Sequence, residues 1–166
     1  MTPGGIRSDL TYAQSGMEGD GVVTYGEAFT FQPFGNELVT VPMTGVQIAS
    51  VLREQCQPAG SSRPFLDLGV SSGFTYTLSR TIADGTCTSV AVRDLMLDGK
   101  PLDPAGTYQV TVNDYLADGG DNFATFADVA PALRRPGDID REALIEYLAA
   151  FAPVAPPDTN RVTIAP

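Results

Sequence analysis

The sequence predicts an α+β fold, one domain of mixed strands and helices covering residues 1–166. Three observations carry that prediction. Segments of period-two alternation, such as Thr107-Tyr-Gln-Val-Thr-Val112, sit beside segments whose apolar residues recur at helical spacing. The two kinds follow one another without strict strand–helix–strand alternation, which argues against a doubly wound parallel sheet. Hydrophobic residues make up 43% and charged residues 18%, in a chain of 166 residues that is long enough for a sizeable core.

The first element is a glycine-rich turn, Pro3-Gly-Gly-Ile-Arg7. Gly4 and Gly5 let the backbone pass close to a neighbour, and Arg7 then offers a permanently charged fork suited to a carboxylate or phosphate. A structural ion pair to Asp9 is the plainer use of that arginine. Residues 11–21 are polar and glycine-rich, a loop. Thr24 and Glu27 have capping-box spacing and start a short helix bearing Ala28, Phe29 and Phe31, which Pro33 ends. Phe34-Gly35-Asn36 is a turn. Phe34 is either a stacking ring or a core aromatic, and Asn36 carries both donor and acceptor.

Glu37 to Met43 reads as a strand. Thr44 and Gln47 cap a helix with an apolar face of Val46, Ile48, Ala49, Val51 and Leu52, ending near residues 56–58. Residues 60–64 are loop. Phe65–Val70 and Gly73–Leu78 read as two strands, Ala83–Gly85 as a turn, Val90–Leu97 as a strand and Asp98–Pro101 as a tight turn.

The strand Thr107–Val112 then runs into Asn113-Asp-Tyr-Leu-Ala-Asp-Gly-Gly-Asp-Asn-Phe123. The consecutive glycines Gly119 and Gly120 permit positive φ, so the chain turns sharply and holds the carboxylate of Asp121 in place. Tyr115 presents a flat apolar face nearby. A ring beside a fixed carboxylate suits a ligand with a planar ring and vicinal hydroxyls, as in a nucleoside. A surface turn with Tyr115 as a half-buried anchor is the plainer reading. Asp138 is read as the cap of a helix from Ile139 to Phe151, with Ala143, Leu144, Tyr147, Leu148 and Phe151 inward. Pro153, Pro156 and Pro157 end it, and Arg161–Ile164 reads as a closing strand.

Charge and missing residue types exclude several functions. A net charge of −10 argues against a nucleic acid polymer as partner, although one local arginine can still hold a single nucleotide. The sequence contains 0 histidines, so no catalytic residue and no metal site is expected in this chain. No apolar run is long enough to span a membrane, and no secretory signal is visible, since Met1 is followed directly by Thr-Pro-Gly-Gly. Cys56 and Cys87 are expected to form a disulfide, which would mean export; two unrelated thiols are the alternative.

Gly4-Gly-Ile-Arg7, Gln32-Pro-Phe-Gly-Asn36, Met43-Thr-Gly45 before a helix, the strand of Tyr108, and Tyr115 followed by Gly119-Gly120-Asp121 occur together in order. In this the chain, from Gly4 to about Ile164, resembles the C-terminal domain of the exported 5′-nucleotidase and UDP-sugar hydrolase family. The resemblance implies a substrate-specificity domain in which Phe34 and Tyr115 sandwich a base and Asn36 bonds its edge. Asp121 would hold the ribose hydroxyls, and Arg7 the charged part of a nucleotide or nucleoside substrate. Gly4, Gly5, Gly35, Gly119 and Gly120 would be its supporting turns.

It further implies a partner, the N-terminal metallophosphoesterase domain of the same parent chain. Two divalent metal ions and a catalytic His–Asp pair would sit there, with no cofactor in this chain. The parent would be secreted, periplasmic or on the cell surface. Two departures stand out: Tyr115 where many relatives have phenylalanine, and Thr2 where many have asparagine. The family's first helix of this domain, with further substrate-binding arginines, is also missing, so the chain reads as a fragment. A free-standing binding or interaction module of the same fold is the alternative function. A calcium-stabilised module, using Asp114, Asp118 and Asp121, is a third.

Overall fold

Two capping boxes set the helices that frame the later site. The computed structural model describes residues 5–165. The Thr24 hydroxyl accepts from the Glu27 N–H at 3.2 Å, and the Glu27 carboxylate accepts from the Thr24 N–H at 2.8 Å. This starts helix α1, Tyr25–Phe31. Thr44 and Gln47 repeat the reciprocal pair at 3.2 and 2.8 Å and start α2, Gly45–Glu54.

Between them β1, Glu37–Thr44, alternates as a half-buried strand should: Val39, Val41 and Met43 are buried, and their neighbours less so. It is the middle strand of a three-stranded antiparallel sheet. On one side lies β5, Thr107–Asn113, in a register that sets Val39 opposite Val112 and Val41 opposite Val110. On the other lies β6, Arg135–Ile139.

The second sheet has four strands. The hairpin of β2, Phe74–Ala83, and β3, Thr86–Leu97, turns at Asp84 (φ 49°) and Gly85 (φ 70°). Both left-handed residues match the right-handed twist of the arms. Asp98 (φ 50°) and Gly99 (φ 74°) repeat the device before β4, Lys100–Pro101. A strand β7, Val162–Ile164, adds parallel to β2.

Helix α2 lies between the two apolar clusters. Val51 belongs to the cluster of Val41, Met43, Leu66, Leu68, Leu116, Phe123 and Phe126. The next residue, Leu52, belongs to that of Phe65, Phe74, Tyr76, Leu78 and Val92. Successive helical residues diverge by about 100°, so one turn of α2 serves both. Val46, expected on that inner face, is 57% exposed at the helix start.

Three further expectations are corrected. Phe65–Val70 is not a strand: only Phe65 makes a bridge, to Cys56. Its backbone is satisfied by the fully buried Gln55, whose carbonyl accepts from the Leu66 N–H and whose side chain accepts from the Leu68 N–H. Asp138 caps no helix; it lies within β6, and α5 starts at Asp140 with Ile139 in the cap position. Helix α5, Asp140–Phe151, buries none of its residues, and its Tyr147 and Phe151 are 49% and 64% exposed. It is tied to α1 by Arg141, whose guanidinium lies 5.6 Å from the Tyr25 ring and 5.1 Å from the Phe29 ring.

Cys56 and Cys87 are joined as a disulfide with Cα atoms 5.5 Å apart, tying the end of α2 to β3. No helix among the described residues is long and apolar enough to cross a membrane.

Candidate functional site

The site is built where three segments of the chain meet: the turn after Gly5, the turn after α1, and the segment that follows β5. The Arg7 N–H donates to the Phe31 carbonyl at 3.0 Å, which hangs the first turn on the end of α1. Its guanidinium lies 5.0 Å from the centroid of the Phe34 ring. Pro33 ends the helix and Gly35 takes φ 63°, a left-handed value open to glycine. Phe34 is thereby turned outward and is 52% exposed, so it is not a core aromatic. The Asn36 Nδ2 donates to the Asp140 carboxylate at 3.4 Å, and the Asn36 backbone carbonyl accepts from the Asp140 N–H at 2.9 Å. These bonds join the start of β1 to the start of α5.

On the opposite side Asn113 ends β5 and caps α3, Asp114–Ala117, by accepting from the Leu116 N–H at 3.0 Å. Tyr115 stands in that single turn, 49% exposed, above the fully buried Ala117 and the nearly buried Leu116. The turn that follows differs from the expected use of two glycines. Gly119 has φ 85°, but the other left-handed residues are Asp121 (φ 53°) and Asn122 (φ 63°). Gly120 is needed for closeness instead: a Cβ there would lie 2.5 Å from the Tyr115 carbonyl oxygen and 2.5 Å from a carbon of its ring.

That close approach lets Tyr115 and Asp121 bond reciprocally. The phenol donates to the Asp121 carboxylate at 3.0 Å and accepts from the Asp121 N–H at 3.2 Å. The hydrogen bond to Asp121 raises the phenol pKa above its ordinary value, since ionisation would forfeit the donor and set two negative charges side by side. Asn122 donates to Gln57 at 2.8 Å, and the Thr125 hydroxyl to Glu54 at 2.6 Å, so the turn is held against the end of α2.

Arg7, Phe34, Asn36, Tyr115 and Asp121 all line one cavity of about 260 Å³, with Gly5 at its rim. Gly35 and Gly119 shape the turns behind it; Gly4 and Thr2 lie outside the described residues. Two lining residues were not anticipated, Arg63 and Asn113. Asn113 was legible as a helix cap at a strand end. Arg63 comes from a loop whose sequence carries no pattern that points to a ligand. The cavity thus gathers two half-exposed rings, one carboxylate, two carboxamides and two guanidinium groups. The three carboxylates weighed for calcium do not converge: Asp114 accepts from the Tyr115 N–H, Asp118 pairs with Arg134, and Asp121 bonds the Tyr115 phenol.

The geometry makes Gly120→Ala a sharp probe of the site. The added methyl group must push the Tyr115 ring and its backbone away, which costs about 1–3 kcal/mol and breaks the pair with Asp121. The expected readout is a lower melting temperature together with a Tyr115 phenol that titrates nearer its ordinary value, followed by ultraviolet absorbance. An unchanged titration would mean that the two groups are not coupled.

The sequence model of the family described as "5'-nucleotidase, C-terminal domain" matches residues 1–128. A cell wall protein of Listeria monocytogenes is 37% identical over 148 residues, covering 87% of this chain and 17% of its own length. A 5'-nucleotidase of Vibrio cholerae is 32% identical over 161 residues, covering 97% of this chain and 25% of its own. Among solved structures, the 5'-nucleotidase precursor from Thermus thermophilus superposes with a TM-score of 0.69 at 28% identity. That match covers 98% of this chain and 30% of the other. The chain therefore spans a quarter or less of these two curated relatives.

Proposed function

The chain belongs to the 5′-nucleotidase C-terminal domain family, and from that premise we propose that its cavity holds the nucleoside part of a nucleotide for a larger phosphate-ester hydrolase. The observation that supports this best is the convergence of Phe34, Tyr115, Asn36 and Asp121 on one cavity. A base fits between two rings when each lies about 3.5 Å from its plane, the contact distance of packed carbon atoms. Stacking of this kind contributes about 1–3 kcal/mol per base. In this proposal Asn36 bonds the base edge and Asp121 accepts from the ribose hydroxyls. Its carboxylate is already oriented by the Tyr115 phenol, a bond that a phenylalanine would not supply. Arg7 attends the charged part of the substrate.

Hydrolysis is assigned to a metallophosphoesterase domain of the parent chain with two divalent ions. The described residues here do not fit such a centre, since no group of three His, Cys, Asp or Glu side chains converges among them. Export is part of the same proposal. A disulfide persists in oxidising compartments, and a cell wall protein is among the relatives.

The test is a titration of the chain with adenosine and uridine followed by heteronuclear NMR. Shifts are expected around Phe34, Asn36, Tyr115 and Asp121, and Tyr115→Ala is expected to weaken binding by about tenfold or more. Shifts elsewhere, or shifts indifferent to Tyr115→Ala, would sink the proposal.

A further inference from the structure

Arg63 lines the cavity but has no part in the nucleoside reading. Among the described residues it also has no partner of its own. Arg80, Arg134, Arg141 and Arg161 each bond a protein group, whereas the Arg63 side chain makes no hydrogen bond, ion pair or ring contact among the described residues. The loop that carries it is nevertheless well anchored. The Gln57 N–H donates to the Pro64 carbonyl at 3.0 Å, closing the loop at its base, and the Gln57 side chain accepts from Asn122, the neighbour of Asp121, at 2.8 Å. Arg7 hangs on α1 at the Phe34 side. The two guanidinium groups therefore reach the cavity on different segments, Arg7 beside Phe34 and Arg63 on the loop tied to Asn122.

Resting on the nucleoside reading of the cavity, we infer that Arg63 is a specificity-determining residue that selects bases with a carbonyl acceptor at position 6, hypoxanthine and guanine, over adenine. A guanidinium only donates, in a planar fork, so the ligand edge facing it must accept. A 6-oxopurine offers O6 and N7 side by side, the pair that arginine binds with two hydrogen bonds. Adenine places an amino donor beside N7 and confronts the fork with like polarity. The other polar reader agrees with this choice. The Asn36 Nδ2 is engaged by Asp140, which leaves the side-chain Oδ1 as the group Asn36 can offer a ligand in the cavity, and a 6-oxopurine carries an N1–H donor for it next to O6. A donor at Arg63 and an acceptor at Asn36 match the adjacent O6 and N1–H of hypoxanthine and clash with the N6 amino group and bare N1 of adenine.

The experiment compares inosine with adenosine, which share the same ribose and differ at the base edge in question. Calorimetric titration of the whole chain is expected to give inosine an affinity about tenfold higher than adenosine, the discrimination typical of one two-pronged arginine contact. Arg63→Ala, and Arg63→Met with the aliphatic stem kept, should each bring that ratio close to one, by lowering inosine affinity and relieving the unfavourable contact with adenosine, with the melting temperature unchanged. Equal affinities in the unmodified chain would overturn the inference, as would an equal loss of both nucleosides in the variants. So would a loss confined to inosine 5′-monophosphate relative to inosine, which would put Arg63 on the phosphate. Those three results leave the cavity a nucleoside site. Failure of every nucleoside to bind would remove the cavity reading and this inference with it.

Discussion

Phe123→Ala is expected to destabilise the domain by about 3–5 kcal/mol, the cost of emptying a fully buried aromatic site. Phe123 is 0% exposed and packs with Val41, Met43, Leu116 and Phe126 between the three-stranded sheet and α2. Neighbouring side chains arise from strand β1, from α3 and from a further short helix, α4, Ala124–Ala127, and they cannot all collapse into the void at once. For a domain of this size the melting temperature should fall by roughly 10 °C. The residue also stands two positions after Asp121, and its N–H donates to the Gly120 carbonyl at 3.1 Å. Its ring is thus the nail that holds the left-handed turn of Asp121 and Asn122 against the core. The variant should lose more than stability: at temperatures where it remains folded, the pair between Tyr115 and Asp121 should loosen. Thermal melting gives the first effect and tyrosine titration the second. Phe123→Leu, which keeps most of the apolar volume, should restore both in part. A normal Tyr115–Asp121 pair in a folded Phe123→Ala protein would separate the core from the site and contradict this coupling.

How much of this was legible in the sequence depends on the range of the interaction concerned. The helices at Thr24 and Thr44 were readable because a capping box is closed within four residues. The hairpin turns at Asp84-Gly85 and Asp98-Gly99 were readable for the same reason. Phe65–Val70 was misread because apolar residues there point to the core with strand-like spacing, while the hydrogen bonds that would define a strand go to the distant Gln55. Strand β6 was invisible because Pro136, Gly137 and Asp138, three of its five residues, are poor strand formers. It exists through pairing with β1, at an edge where Pro136 lacks no needed donor. For the exposed face of α5, helical spacing reveals a face but not what covers it.

The site divides in the same way. Tyr115, Gly119, Gly120 and Asp121 form one short local unit whose chemistry could be argued from residue types. That Phe34, Asn36 and Arg7 face the same unit rested on resemblance, because no local rule joins positions about eighty or more residues apart. The purpose of Gly120 needed coordinates, since the atom it must avoid belongs to Tyr115. Arg63 needed them too. A loop arginine has no sequence signal of direction, and it is long-range ties such as Gln57 to Asn122 that bring its loop beside Asp121.

Removing the disulfide, as Cys56→Ala with Cys87→Ala, is expected to lower stability by about 3–4 kcal/mol in the chain-entropy model. The closed loop is long, with a sequence separation of 31, and the freed unfolded chain gains the corresponding conformational freedom. Alanine is the appropriate replacement because Cys87 is buried among apolar neighbours, where serine would strand a hydroxyl. Position makes the bond matter for the site as well. Gln55 bonds the Leu68 N–H and the Tyr76 phenol, Cys56 is bridged to β3, and Gln57 bonds Asn122 beside Asp121. Three consecutive residues at the end of α2 therefore tie together the first core, the second sheet and the ligand cavity. Without the disulfide the middle tie is lost, and the loop carrying Arg63 should become the first region to exchange its amides. Thermal melting with and without reductant should show a fall of roughly 10 °C in the unmodified protein and none in the double variant. Hydrogen exchange should show accelerated opening of residues 56–64 ahead of the hairpin β2–β3. If reductant leaves the melting temperature unchanged, the bridge is not formed or not needed. The physical argument for an exported, oxidising setting would then fall, and only the character of the relatives would support it.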